Sequence, residues 1–121
     1  MANPFVHIEL ETTDTGKAKS FYQGLFNWQL QDMDMGGGFT YTLINVGEGT
    51  GGGMMQHPMP GAGSMWVPYV LVDDLAASTA KAKELGATLI RDITEVPDTG
   101  SFSIITDPTG AVMGLWQPKA K

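Results

Sequence analysis

Apolar and polar residues alternate from Phe5 to Thr12 (FVHIELET), placing Val6, Ile8 and Leu10 on one side and His7, Glu9 and Glu11 on the other. That period predicts a half-buried strand. The following stretch, TDTGKAKSFYQGLFNW, changes to helical spacing: Ala18, Phe21, Tyr22, Leu25 and Phe26 stand at i, i+3, i+4, i+7 and i+8, and Asp14 is placed to cap the helix. WQLQDM and FTYTLINV then read as strands joined by the glycine run Gly36 to Gly38, and TGGGMMQ as a short strand ending before Pro58. Residues 4–56 are therefore expected to form one β-α-β-β-β module.

Residues 57–64, HPMPGAGS, carry turn formers and no periodicity, as an exposed linker does; His57, alone within it, is expected at the surface. The order of elements then restarts over 65–118. MWVPYVLV is a strand, Asp73 or Asp74 caps LAASTAKAKELG, Leu85 and Gly86 close that helix, and ATLIRDI, GSFSIIT and AVMGLWQ supply three strands. DPTG, between the last two, has the residues of a type I turn. A shift of 60 residues lays the halves over each other without a gap, Asp14 on Asp74, Leu25 on Leu85 and Ile44 on Ile104, which predicts two copies of one unit.

Composition narrows the function classes. With 121 residues the chain is one domain's length. No apolar run reaches the roughly 20 residues that span a bilayer, and the amino terminus lacks a secretory pattern, so a cytoplasmic protein is expected. Without cysteine there are no disulfides, thiolate metal sites or cysteine nucleophiles. A net charge of −6 with no Lys/Arg cluster argues against nucleic acid and suits a cationic or neutral small ligand.

HIELETTDTGKAKSFYQGLFNW, YVLVDDLAASTAKAKELGA and DPTGAVMGLWQP together resemble the glyoxalase / bleomycin resistance protein / extradiol dioxygenase (vicinal oxygen chelate) superfamily. The resemblance covers essentially the whole chain. It implies an α+β fold in which two β-α-β-β-β modules form a curled, cup-shaped mixed sheet, commonly completed as a homodimer, with the site on the concave face. Metal-dependent members take ligands from the first and last strands of each module, so that a divalent ion can chelate adjacent substrate oxygens. His7, seven residues before Asp14, matches the first ligand; at the other three places the expectation is Met54, Val67 and Gly114, none of which replaces imidazole or carboxylate.

A metal-independent binding domain for a small organic ligand follows as the leading expectation, with no cofactor and a divalent metal as the alternative. If position 54 faces the site, period two brings Gln56 with it, and Tyr69 and Trp116 from the second module. The expected lining is His7, Glu9, Met54, Gln56, Tyr69 and Trp116. An enzyme of lyase, isomerase or dioxygenase type would use Glu9 or His7 as base, or an unorthodox metal site; a partner-binding subunit would have Tyr69 and Trp116 filling the space. GEGTGG, residues 47–52, matches a dinucleotide fingerprint in letters, but a strand and Pro58 follow where the phosphate-binding helix would have to start.

Overall fold

In the computed structural model, which describes residues 2–57, 61 and 63–119, the alternating and helical stretches form the elements their patterns predict. β1 (Phe5–Thr12), α1 (Thr15–Leu25), β2 (Gln29–Asp34), β3 (Thr40–Asn45) and β4 (Gly52–Gln56) make the first β-α-β-β-β module. β5 (Met65–Leu71), α2 (Leu75–Glu84), β6 (Thr88–Val96), β7 (Gly100–Thr106) and β8 (Val112–Pro118) make the second. The class is α+β. Pro58, Met59, Pro60 and Ala62 of the expected linker lie outside the described residues.

By internal contacts the chain divides into a first unit, His7–Val67, and a second unit holding the residues up to Val6 and from Pro68 onward. The amino-terminal residues join the second unit through β5: Leu71 N–H donates to the Pro4 carbonyl at 3.0 Å, and Asn3 Nδ2 donates to the Leu71 carbonyl at 2.8 Å.

In the first unit the strands run β2-β3-β4-β1, with β1 parallel to β4 and the other pairs antiparallel. Asp14 starts α1 by accepting the Lys17 N–H at 3.0 Å, which satisfies one of the helix's unpaired donors. The helix lays Ala18 and Tyr22 over Leu10, Ile44 and Met54, with Trp28, Leu30 and Val46 around them. The apolar stripe expected on α1 is thus divided. Phe21, Leu25 and Phe26 stay exposed, while Tyr22 stacks with Trp28 and with Phe26, Phe26 tilts against Trp28, and Trp66 meets Tyr22 and Trp28 edge-on.

In the second unit the strands run β5-β8-β7-β6, again with the outer module strand, β5, parallel to the last, β8. Asp74, not Asp73, is the cap, accepting the Ala77 N–H at 3.0 Å. α2 packs over Val72, Leu75, Ile105 and Leu115, joined by Ala82, Ala87 and Leu89. Gly86, at φ 105°, takes the left-handed conformation that ends the helix. The turn between β7 and β8 closes as expected, with Gly110 N–H donating to the Asp107 carbonyl at 2.9 Å.

The gapless 60-residue repeat does not survive the strand registers. Glu9 stands opposite Gly53 in the first module, and Tyr69 opposite Gly114 in the second, so the last strands correspond with a shift of 61. β6 is irregular where the two modules differ: its pairing with β7 slips by one residue between Leu89 and Arg91 and by one more between Arg91 and Thr94. An irregularity of this kind lets one strand carry a surplus residue without disturbing the ladder beyond it.

Candidate functional site

β1 presents two faces. Leu10 points to the helix and belongs to the core, so by alternation His7, Glu9 and Glu11 share the opposite face. Glu9 and Glu11 are not solvated charges: they are 7 % and 8 % exposed. Charged groups so placed need partners, and both have them.

Glu9 and His7 are joined by Tyr41. The Tyr41 hydroxyl lies 3.0 Å from Glu9 Oε1, to which it donates, and 2.8 Å from His7 Nε2. The two rings are near parallel, at 21°. Because Tyr41 gives its own proton to the carboxylate, the arrangement calls for His7 to donate from Nε2, the Nε2–H tautomer. Burial pushes the His7 pKa below the ordinary imidazole range, keeping the ring neutral near pH 7.

Tyr41 reaches this position because Gly53 has no side chain. A Cβ at Gly53 would fall within the Tyr41 ring and hydroxyl, well inside van der Waals contact. Gly114 does the same for Tyr69 in the second unit, where the tyrosine is 4 % exposed and covers the glycine. The space that glycine leaves in the last strand of each module is therefore filled by a tyrosine ring, from β3 in one and β5 in the other.

Glu11 has a second imidazole beside it. His57 Nε2 is 3.7 Å from Glu11 Oε1, and the two side chains are 8 % and 10 % exposed. The surface location expected for His57 is corrected. Its N–H donates to the Thr12 carbonyl at 2.8 Å, extending the β1–β4 pairing by one residue and holding the side chain against β1.

The expected lining changes accordingly. Met54 pairs with Leu10, is fully buried, and belongs to the helix-side core, so it does not share the face of His7 and Glu9. Gln56 follows Met54 by period two and donates from Nε2 to the Thr13 carbonyl at 2.8 Å. The β4 residues on the Glu9 face are Gly53 and Met55. In the second unit Tyr69 and Trp116 do share one face, and Phe102 joins them: Tyr69 meets the Phe102 ring edge-on at 6.1 Å, and Phe102 is the cross-strand partner of Trp116. Arg91 adds its guanidinium over Phe102, 5.5 Å from the ring centre. Among the described residues, no group of three or more His, Asp or Glu side chains is placed to hold a metal ion, and no helix is long and apolar enough to cross a membrane.

Compared with known proteins, residues 5–114 match the family model described as Glyoxalase/Bleomycin resistance protein/Dioxygenase superfamily. The chain belongs to this superfamily. Among curated proteins it is 33 % identical over 110 residues to "Putative glyoxylase CFP32" of Mycobacterium tuberculosis, a match covering 91 % of this chain and 42 % of that protein. The chain thus spans about two fifths of the length of its curated superfamily relatives. Among solved structures it is similar to hypothetical protein BH1468 from Bacillus halodurans, with a TM-score of 0.75 at 15 % identity over 100 % of this chain and 98 % of that one. It is also similar to methylmalonyl-CoA epimerase from Mycobacterium tuberculosis, with a TM-score of 0.69 at 17 % identity over 96 % and 88 % of the two chains. These likenesses show the superfamily fold. Within it, the β4 position across from Glu9 is occupied by Gly53, not by Met54 as the family resemblance implied.

Tyr41 and the Glu11–His57 pair are absent from the expected site. Tyr41 carries a sequence signal only in hindsight, as the one aromatic residue with a polar tip within β3. Its contact with Gly53 depends on the β1–β4–β3 registers, which no local pattern specifies.

Proposed function

We propose that this chain is a small-molecule-binding member of the superfamily that works without the superfamily's metal ion, its first-unit binding face built from His7, Glu9 and Tyr41. The observation that carries the reading is the Tyr41 hydroxyl between His7 Nε2 and Glu9 Oε1. His7 is the residue that matches a metal ligand in the superfamily pattern, and its Nε2 is already engaged. The neighbouring β4 position offers glycine, and the room a carboxylate would need there holds the tyrosine ring. A metal with one imidazole is not retained where, among the described residues, no group of three or more His, Asp or Glu side chains is placed to hold it. The donor set therefore does not fit the metal site that the superfamily implies.

Buried polar groups already held in place by hydrogen bonds suit recognition of a small organic molecule with one or two polar handles. The acidity of the chain favours a neutral or cationic guest. Trp116, half-buried beside the buried Tyr69, adds aromatic surface in the other unit. A homodimer in the cytoplasm completes the reading; size-exclusion chromatography with light scattering tests the dimer.

A second reading has an observation of its own. His7 is held neutral by burial and bonded through a hydroxyl to a carboxylate, the arrangement of a general base. Glu9→Gln with the fold intact would then abolish turnover of any substrate found.

The experiment for the leading reading is metal analysis of the purified protein and titration calorimetry with Zn, Ni, Mn and Fe, followed by a thermal-shift screen of neutral and cationic small organic molecules. The expected result is no stoichiometric metal and a ligand-induced rise in Tm that weakens in Tyr41→Phe. Tight one-to-one metal binding lost in His7→Ala would overturn it.

A further inference from the structure

We propose that the sheet face of the second unit opposite α2 binds a planar aromatic carboxylate, its ring against Phe102 and Trp116 and its carboxylate in the fork of Arg91. The proposal names a ligand class for the aromatic surface of that unit and is separate from the polar face of His7, Glu9 and Tyr41.

Three observations carry it. The first is how Arg91 reaches this face. Leu89 packs under α2 and pairs with Ile105, so strict alternation would turn residue 91 to the α2 side as well. The pairing slips by one residue between them, and Arg91 stands opposite Ile104 instead, on the face of Phe102 and Trp116. Bulges re-aim side chains in this way beside functional sites. The second is the charge of the face. Among the residues paired in register on it, Arg91, the chain's one arginine, is the only charged side chain. Among the described residues no carboxylate forms an ion pair with Arg91, whereas Lys19 and Lys119 each hold an aspartate. The third is how the group is held. Its guanidinium lies 5.5 Å from the centre of the Phe102 ring, and Nε donates to Thr94 Oγ1 at 3.4 Å, which leaves the terminal nitrogens to meet a guest.

The chemistry selects the guest. A guanidinium presents its donors as a planar fork that a carboxylate matches with two parallel hydrogen bonds, and it stays charged throughout the physiological pH range. Phe102 and Trp116 are half-buried, so each still shows part of its ring. Trp116 is held over Gly100, where an added Cβ would lie 2.7 Å from its Cζ2. Flat walls of this kind take an aromatic ring by offset stacking or edge-on contact. The net charge of −6 opposes an anion only at long range, because exposed charges more than about 8 Å apart are largely screened in physiological salt.

Nitrogen-15 NMR of the full chain reads the site directly. The single arginine gives one Nε–H signal and the three tryptophans give three indole signals, that of Trp116 being the one absent from Trp116→Phe. Cinnamate is titrated in, with cinnamamide as its uncharged counterpart. Cinnamate should shift the Arg91 and Trp116 signals saturably and bind at least about tenfold more tightly than the amide. Arg91→Gln should abolish that preference and leave the affinity for the amide unchanged. Equal affinity for acid and amide in the wild type would overturn the proposal, as would the absence of saturable binding or a preference that survives Arg91→Gln. A cinnamate shift confined to residues of the first unit would also overturn it, while leaving the reading of the first-unit face standing. The comparison of acid with amide uses the wild type alone, so it decides the matter even where a variant fails to fold.

Discussion

Substituting Gly53 with alanine puts the packing at the centre of the site to a quantitative test. The added methyl would lie inside the Tyr41 ring and hydroxyl. Tyr41 is a side chain, so it can swing away, but only by giving up its bonds to Glu9 and His7. The hydrogen bond to an ionised carboxylate contributes about 1.5–3 kcal/mol, and overpacking of a filled region costs about 1–3 kcal/mol. Gly53→Ala should therefore destabilise by roughly 1.5–3 kcal/mol where Tyr41 swings away, and by up to about 6 kcal/mol where both effects apply. In a Tyr41→Ala background the atoms that obstruct the methyl are gone. There, alanine in a strand in place of glycine should be neutral or stabilising by about 0.5–1 kcal/mol. The assay is a double-mutant cycle by urea unfolding, checked by thermal melts. The expected coupling between positions 41 and 53 is about 2 kcal/mol or more, above the few tenths that unrelated sites show. Equal destabilisation by Gly53→Ala in both backgrounds would refute the placement of Tyr41 over Gly53, and with it the account of the site.

Four further outcomes follow from the same geometry. Met54→Ala, which empties a fully buried position against Leu10 and Ile44, should cost about 2–5 kcal/mol, whereas Gln56→Ala, at an exposed strand end, should cost under about 1 kcal/mol; comparable losses in urea melts would return position 54 to the binding face. Asp14→Ala and Asp74→Ala should each lower stability by about 1 kcal/mol through loss of one helix cap, while Asp73→Ala should leave it nearly unchanged. Gly52→Ala should be worse tolerated than Gly53→Ala, because its methyl meets the Ile8 backbone, which cannot rotate aside; soluble yield and melting temperature report it. Stability should fall on acidification below about pH 6.5, the ordinary His value. His7 binds a proton more weakly folded than unfolded, so the unfolded chain takes up more protons between the two pKa values and the stability of the fold there rises with pH; this group adds at most about 1.4 kcal/mol per pH unit. His7→Gln should flatten that part of the profile.

The exposed aromatic surface on α1 has a different physical origin from the site. Tyr22 continues from the core into Trp28 and Trp66, and Phe21 at 60 % exposure and Leu25 at 56 % extend the apolar area to solvent. Helical spacing identifies these residues as one stripe, but how much of the stripe is covered depends on the width of the sheet beneath it.

What the sequence determined by itself is whatever depends on neighbours along the chain. The ten elements, the Asp14 cap, the repeated β-α-β-β-β order and the grouping of His7, Glu9 and Glu11 on one face follow from periods of 2 and 3.6, from capping chemistry and, for β4, from the turn formers around it. The superfamily was legible for the same reason, because its marks lie at caps and turns such as Asp14, VDDL and DPTG. The tertiary structure decided which face each strand turns inward where local pattern is silent. GGGMM has no polar and apolar alternation to orient it, and a slip of one residue exchanges the two faces of a strand. Pairing with β1 and β3 resolved that choice, sending Met54 into the core and placing Gly53 opposite Glu9. Tyr41 and His57 became part of the polar face in the same way, through contacts with residues 32 and 46 positions away, Glu9 and Glu11, that only the folded chain brings within reach.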